Sequence, residues 1–477
     1  MAGWLTNGDY LEGTRCFMAG RESRAELISY NINNTEICAS AARISTTQGD
    51  AVEIFEKAKG NEKNEGLIKK VLASGHKSII EHMVFTIALR NVSVFVEQFF
   101  IEYRLASFTV KSRRYVDFGG SGYHIPKELK GEDRSLYCEY MDSLFETYKT
   151  MLDGGIPKED ARFLLPYSFN SNFYCTLNAR ELIHVLEDIR NGRGQRVPEL
   201  QVLADQIVEQ LKRMCPCIIA EMEALSISGD SFVNPVGAFK ENVRFQDFIS
   251  FVGTEDAGAV NMLNKPSDPL KLLEASWQAQ HPGRDRAGLS VIDQILHSSR
   301  PRELEQLSYT FLISDITLSG ITHMVRHRMQ SVIIPPIQGL NHSRFILPDT
   351  IKGDERLFEI YKSTLEASNC MVKEMARNDV LKKYSYYYAL SGNVMDVMTT
   401  INGRELKHLI QLRACNRAQW EIRNISISML KLLREAFPQL FDCFGPSCYV
   451  SGGCPEGGLS CGKMDEVVER FAANRIV

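Results

Sequence analysis

The chain has no apolar run long enough to cross a membrane: nothing in it reaches the roughly 18 uninterrupted apolar residues that a helical span requires. Its first residues, MAGWLTNGDYLEGTR, lack a basic segment leading into an apolar one, so no secretory signal is expected there. Charge of one sign is not in excess either. Lys plus Arg number 55 against 59 for Asp plus Glu, a net of −4, which supplies no overall field for nucleic acid or an anionic membrane. A G-x-x-x-x-G-K-[ST] phosphate loop is missing, and NGRGQR, starting at Asn191, is too thin for a dinucleotide fingerprint. Any phosphate must therefore be held by side chains. These absences together lead to the expectation of a cytoplasmic protein that acts on small molecules, with no nucleic-acid or membrane partner.

Cysteine is plentiful but poorly organised. Eight of the twelve are scattered singly or as Cys215-Pro-Cys217, as reduced thiols in a cytosolic enzyme would be. The other four, Cys443, Cys448, Cys454 and Cys461, crowd a glycine-rich tail. A zinc site is one reading of them and a reduced loop the other; the lack of any Cys-x-x-Cys pair weighs toward the loop. No metal ligand is assigned.

What the sequence does contain is itself, twice. LFETYKTML at Leu144 returns as LFEIYKSTL at Leu357, and LNARELIHVLEDIR around Asn178 returns as INGRELKHLIQLR around Asn402. Arg104 and Arg328 differ by 224 positions (328 − 104), as do Asn178 and Asn402 (402 − 178), while the intervening match slips to 213 (357 − 144) and recovers. Loop insertions account for the slip. Two homologous halves follow, 1–225 and 226–477, joined near SISGDSFVNP.

Each half mixes periodicities. FTIALRNVSVFVEQFF begins with β-branched and aromatic alternation, which predicts a strand leading into a helix. From Arg404 to Phe437 apolar residues recur at helical spacing with no Gly or Pro, which predicts one long amphipathic helix carrying Arg404, His408 and Arg413 on neighbouring faces. The expected fold is α+β, duplicated into a pseudo-dimer. Arg326-His327-Arg328 ends an apolar segment, LSYTFLISDITLSGITHMV. Such a triplet could simply complement a helix dipole. Arginines converging from several elements suit phosphates and carbonyl oxygens better, because the guanidinium offers rigid paired donors.

The segment RHRMQS resembles the opening of the R-H-R-x-x-S signature of flavin-dependent thymidylate synthases, the thymidylate synthase complementing proteins. The signature's later Ser-x-Arg-Tyr is found in the first half: YRLASFTVKSRRY supplies Arg104, Ser107, Ser112, Arg114 and Tyr115. That half also holds the family-like GHKSIIEH, with His76, and ARFLLP, with Arg162. The second half holds INGREL, Arg413 and AQWEIR. The resemblance covers most of both halves.

It implies two tandem units, each a mixed sheet with flanking helices and a long helix. In that family four units assemble and each site is built from several subunits, so the expectation here is a homodimer. The flavin ligands implied are Arg326, His327, Arg328, Asn402, Arg404 and His408, completed by His76 and Ser78 from another subunit's equivalent. Ser112, Arg114, Arg162, Arg326 and Arg413 are implied for the nucleotide, with Arg413 facing the pyrimidine as the catalytic group. The two halves have lost complementary features. Arg300 stands where His76 would repeat, YSYYYAL replaces ARFLLP, Glu102-Tyr103 replaces Arg-His, and Arg190 sits one place off the register of Arg413. One composite type of site is what such losses leave. The implied reaction is reductive methylation of dUMP to dTMP with FAD, methylenetetrahydrofolate and NADPH. Two departures bear on the substrate: Gln98 of the first half becomes Thr322 in the second, and Val110 replaces the signature's acidic residue. Action on another pyrimidine nucleotide, or a non-catalytic nucleotide- or flavin-binding paralogue, are the alternatives.

Overall fold

The structure, a computed structural model, describes residues 22–219, 243–284 and 289–472. The expected junction at 225/226 lies outside the described residues. Contacts divide the chain into two compact units, one comprising Met1–Glu241 with Ile360–Tyr388, the other Asn242–Glu359 with Ala389–Val477. The segment Ile360–Tyr388, which sequence order places in the second half, thus packs with the first.

The first unit is built on a four-stranded antiparallel sheet of β1 (Arg24–Tyr30), β2 (Val84–Ser93), β3 (Ser107–Val110) and β4 (Asn170–Asn178), in the order β1-β2-β4-β3. Phe85, Ile87 and Leu89 alternate inward along β2, and the helix Val94–Ile101 that follows it is buried along its whole length. The strand-then-helix reading of this stretch holds. The second unit carries a sheet of the same pattern: β6 (Ala259–Asn264), β7 (Ser308–Thr317), β8 (Gln330–Ile333) and β10 (Val394–Asn402), in the order β6-β7-β10-β8. A parallel pair, β5 (Ser250–Gly253) with β9 (Arg344–Leu347), is added to that unit. The Leu144 and Leu357 segments lie in helices of equal length, Gly131–Asp153 and Glu355–Arg377, each of 23 residues.

The duplication reaches individual hydrogen bonds. Among the described residues the non-glycine positions with positive φ are Asn91 (51°) and Asp315 (54°), residue types that tolerate the left-handed region. They are 224 apart (315 − 91). Each has its backbone N–H accepted at 3.0 Å by a side chain on the neighbouring long strand, Asn172 in one unit and Asp396 in the other. Cross-strand hydroxyl pairs repeat as well, Thr86 with Thr176 and Thr310 with Thr400, both at 3.0 Å.

At the strand-to-helix turn each unit buries a carboxylate. Glu199 accepts the Ser93 N–H at 2.9 Å and its hydroxyl at 2.6 Å, while Glu421 accepts the Thr317 N–H and hydroxyl, both at 2.6 Å. Ser93 and Thr317 in turn cap their helices through Val96 N–H and Gly320 N–H. A fully buried carboxylate is tolerated only when such donors replace its water. Glu199 has two further donors, the hydroxyls of Ser23 and Tyr387.

Two expectations need correction. The single helix from Arg404 to Phe437 is two, Gly403–Arg413 and Trp420–Ala436. Between them Ala418 N–H bonds Cys415 O, and the Gln419 side chain caps the second helix by accepting from Ile422 N–H at 3.2 Å. A polar side chain competing for the backbone breaks a helix without Gly or Pro. The scattered thiols are not all reduced either: Cys138 is disulfide-bonded, whereas the other ten described cysteines are free.

Candidate active site

In the second unit β10 ends at Asn402, whose Oδ1 accepts the Glu405 N–H at 2.9 Å and starts the Gly403–Arg413 helix. Asn178 performs the same capping in the first unit, through Glu181 N–H. The helix presents Arg404, Glu405, Lys407 and His408 to a cleft of about 580 Å³, where Ser298, Ser299 and Met329 also line the wall. Arg404 is hydrogen-bonded to Glu305, and that bond holds the Glu305 carboxyl below its ordinary range.

Arg326 and Arg328 are exposed on either side of His327, which is 3% exposed. Helix Leu318–Met324 is buried along its length and stops just before them, so the apolar run delivers the triplet to the unit's surface with only its middle residue turned inward. His327 Nδ1 lies 3.0 Å from Glu405 Oε1, and the Arg413 Nε–H donates to His327 Nε2 at 3.0 Å. A guanidinium only donates and a carboxylate only accepts, so these partners assign the proton to Nδ1 and keep the ring neutral. Burial is the main cause that lowers the His327 pKa; the Glu405 hydrogen bond opposes it and the Arg413 charge adds to it. Glu405, His327 and Arg413 therefore form a continuous relay that fixes the direction of the guanidinium.

His327, Glu405 and His408 have donor atoms within 4.8 Å of one another, a spacing compatible with a metal ion. Both ring nitrogens of His327 are already engaged, however, one by a cation. Within the trio His327 is hydrogen-bonded to Glu405, and the His327 and His408 rings lie 5.9 Å apart at 67°.

At the equivalent place in the first unit Tyr103 replaces His327. Its hydroxyl donates to Asp188 at 2.6 Å, and Arg193 bridges Asp188 and Glu102 while lying 5.0 Å from the centre of the Phe99 ring. Internal ion pairs fill the faded copy.

Elsewhere in the first unit Ser112, Arg114 and Arg162 are gathered near Glu159. Arg114 Nε bonds the Glu159 carboxylate at 2.8 Å, Arg162 Nε bonds the Glu159 carbonyl at 3.0 Å, and Ser112 Oγ accepts from Arg114 N–H at 3.3 Å. Arg114 is partly exposed, whereas Arg162 is 2% exposed. The adjacent Arg113 is structural, paired with the buried Glu97. His76 and Ser78 are exposed at the start of the short helix Lys77–His82. Sequence reasoning missed Glu405, Lys407, Ser298 and Ser299. Glu405 could have been found as the acid beside Arg404 in INGREL, but the two serines carry no local signal.

The pattern of the family described as thymidylate synthase complementing protein matches residues 26–217 and again 258–439. A flavin-dependent thymidylate synthase of Geobacter sulfurreducens is 31% identical over 187 residues, spanning 38% of this chain and 80% of that protein. One from Pyrococcus abyssi is 34% identical over 168 residues, spanning 34% and 68%. Among solved structures, the UMP/dUMP methylase PolB of Streptomyces cacaoi bound with 5-Br dUMP is 25% identical, covering 43% of this chain and 97% of its own, with a TM-score of 0.37. A mixed α/β chain with the same pattern matched twice is a tandem duplication, and this chain belongs to the thymidylate synthase complementing protein family. It is an enzyme of the flavin-dependent thymidylate synthase kind.

Proposed function

We propose that the enzyme converts dUMP to dTMP, with methylenetetrahydrofolate as one-carbon donor, NADPH as reductant and FAD as cofactor. The observation that carries this reading is the Glu405–His327–Arg413 relay beside a cleft lined with cations and hydroxyls. The donor set fits a flavin dinucleotide. Arg404, Lys407 and His408 suit its pyrophosphate, Ser298 and Ser299 suit its hydroxyls, and about 580 Å³ is ample for much of such a ligand. Arg326, Arg328, Asn402, Arg404 and His408 hold it in the second unit while His327 positions Arg413, and His76 and Ser78 serve it from another subunit. FAD when bound supplies hydride transfer.

The protein's share of the reaction is binding and electrostatics. Ser112, Arg114 and Arg162 take the nucleotide phosphate. Arg326 and Arg413 take the pyrimidine, Arg413 as the group that stabilises charge developing on a ring carbonyl. Its guanidinium stays charged at any working pH, and the neutral His327 holds it in place without a competing charge. Thr322 is not an obstacle to a deoxyuridine nucleotide: it is 3% exposed and its hydroxyl is spent on Ser319 O at 2.8 Å, inside the helix.

We further infer that each chain serves as two fused family units, a pseudo-dimer divided near residue 225, and that two chains assemble into a cytoplasmic homodimer of twice 54.0 kDa. No helix among the described residues is long and apolar enough to cross a membrane. FAD titration of the purified protein tests the cofactor assignment. Saturable uptake that Arg404→Ala weakens is expected; a colourless protein that takes up none overturns it.

A further inference from the structure

The glycine-rich tail does not gather the four cysteines that its spacing suggests. Cys443 points elsewhere, its Sγ 3.6 Å from Leu440 O and its thiol beside Lys407. Cys415, from the turn between Gly403–Arg413 and Trp420–Ala436, takes its place. With Cys448 of the short helix Ser447–Ser451, and with Cys454 and Cys461 beyond it, Cys415 lines one small hollow closed by Met464 and Val467. Four thiols reach that hollow from separate parts of the second unit.

We propose that Cys415, Cys448, Cys454 and Cys461 form a tetrathiolate site for one zinc-class divalent ion. Four sulfurs and no carboxylate suit a soft or borderline cation in closed tetrahedral coordination, the arrangement of structural zinc. The Arg417 N–H donates to Cys415 Sγ at 3.5 Å, and Arg417 is among the residues that line the hollow.

The sulfurs must still draw together. Among the described residues only His327, Glu405 and His408 bring three ligand atoms within 4.8 Å of one another. The loop that carries Cys454 and Cys461 has the freedom to do so. Gly452, Gly457 and Gly462 have positive φ, and a side chain at any of them, or at Gly453 or Gly458, would meet nothing within 4 Å. Binding would clamp this loop onto the turn that begins one residue after Arg413, giving the ion a structural role next to the relay.

Elemental analysis of the full-length protein, purified without added metal and dialysed, should find one zinc per chain. Replacing zinc with cobalt(II) should give the d–d and thiolate charge-transfer bands of a tetrahedral thiolate complex in the unmutated protein, so the test does not depend on a variant folding. Cys415→Ser and Cys461→Ser should lose the ion, while Cys443→Ser keeps it. In the unmutated protein the four thiols should resist alkylation until a chelator is added. A metal-free preparation that binds neither zinc nor cobalt overturns the proposal, as does iron in place of zinc, or loss of the ion in Cys443→Ser with retention in Cys415→Ser. FAD uptake measured on the same samples reports separately on the cofactor reading.

Discussion

Glu405→Gln keeps the size of the side chain and removes only its charge. Glu405 accepts from His327 Nδ1 at 3.0 Å, and His327 in turn accepts from Arg413 at 3.0 Å, so the change reaches the guanidinium through one ring. A hydrogen bond to a charged group contributes roughly 1.5–3 kcal/mol and a neutral one roughly 0.5–1.5, so about 1 kcal/mol of restraint is lost. If that restraint counts mainly once charge develops on the pyrimidine, turnover at saturating nucleotide should fall by roughly fivefold. The KM for nucleotide should hardly move, because its phosphate is assigned to other residues. Steady-state kinetics with FAD saturating reads both parameters, and FAD affinity measured beside them guards against a merely structural effect. Removing the carboxylate also takes away an influence that raises the His327 pKa, so any acid limb of the rate governed by that ring should move to lower pH. Unchanged turnover in Glu405→Gln, or a loss confined to KM, would refute the relay.

Arg328→Ala should weaken FAD binding by about 1.5–3 kcal/mol, whereas Tyr103→Phe, at the first-unit position equivalent to His327, should leave it alone; a flavin titration compares them. Glu199→Ala strands the donors of Ser93, Ser23 and Tyr387 and should cost about 3–5 kcal/mol in denaturant unfolding. His342 is buried with neither ring nitrogen hydrogen-bonded, and burial lowers its pKa from 6.5 to about 4. Its unfolded form binds the proton first, so stability is complete above about pH 6.5 and declines by up to about 3 kcal/mol as pH falls toward 4. Urea unfolding across that window should show the slope in the unmutated protein and a flatter one in His342→Phe.

The legible parts of this molecule were those written in local pattern or in repetition. The alternation in FTIALRNVSVFVEQFF marks β2 and its helix because side chains on a strand alternate faces. The 224-residue offset found from Arg104/Arg328 and Asn178/Asn402 recurs in the Asn91/Asp315 kinks and the threonine pairs. Long-range partners were hidden. Nothing beside Glu199 or Glu421 marks them as acceptors for a turn more than a hundred residues earlier, since burial and pairing are tertiary facts. The break between Arg413 and Trp420 escaped because its signal is a capping glutamine, not Gly or Pro. Cys415 escaped because it lies far in sequence from the tail thiols that it joins. The packing of Ile360–Tyr388 with the first unit is likewise invisible to a reading that follows sequence order.

The most direct test of dUMP methylation is a product assay. Purified enzyme is incubated with dUMP, methylenetetrahydrofolate, FAD and NADPH, and the nucleotides are separated by chromatography and weighed by mass spectrometry. The expected result is dTMP that requires all four components and is largely lost in Arg413→Ala while FAD stays bound. An FAD-loaded enzyme that leaves dUMP untouched, or that methylates another pyrimidine nucleotide in its place, would contradict it.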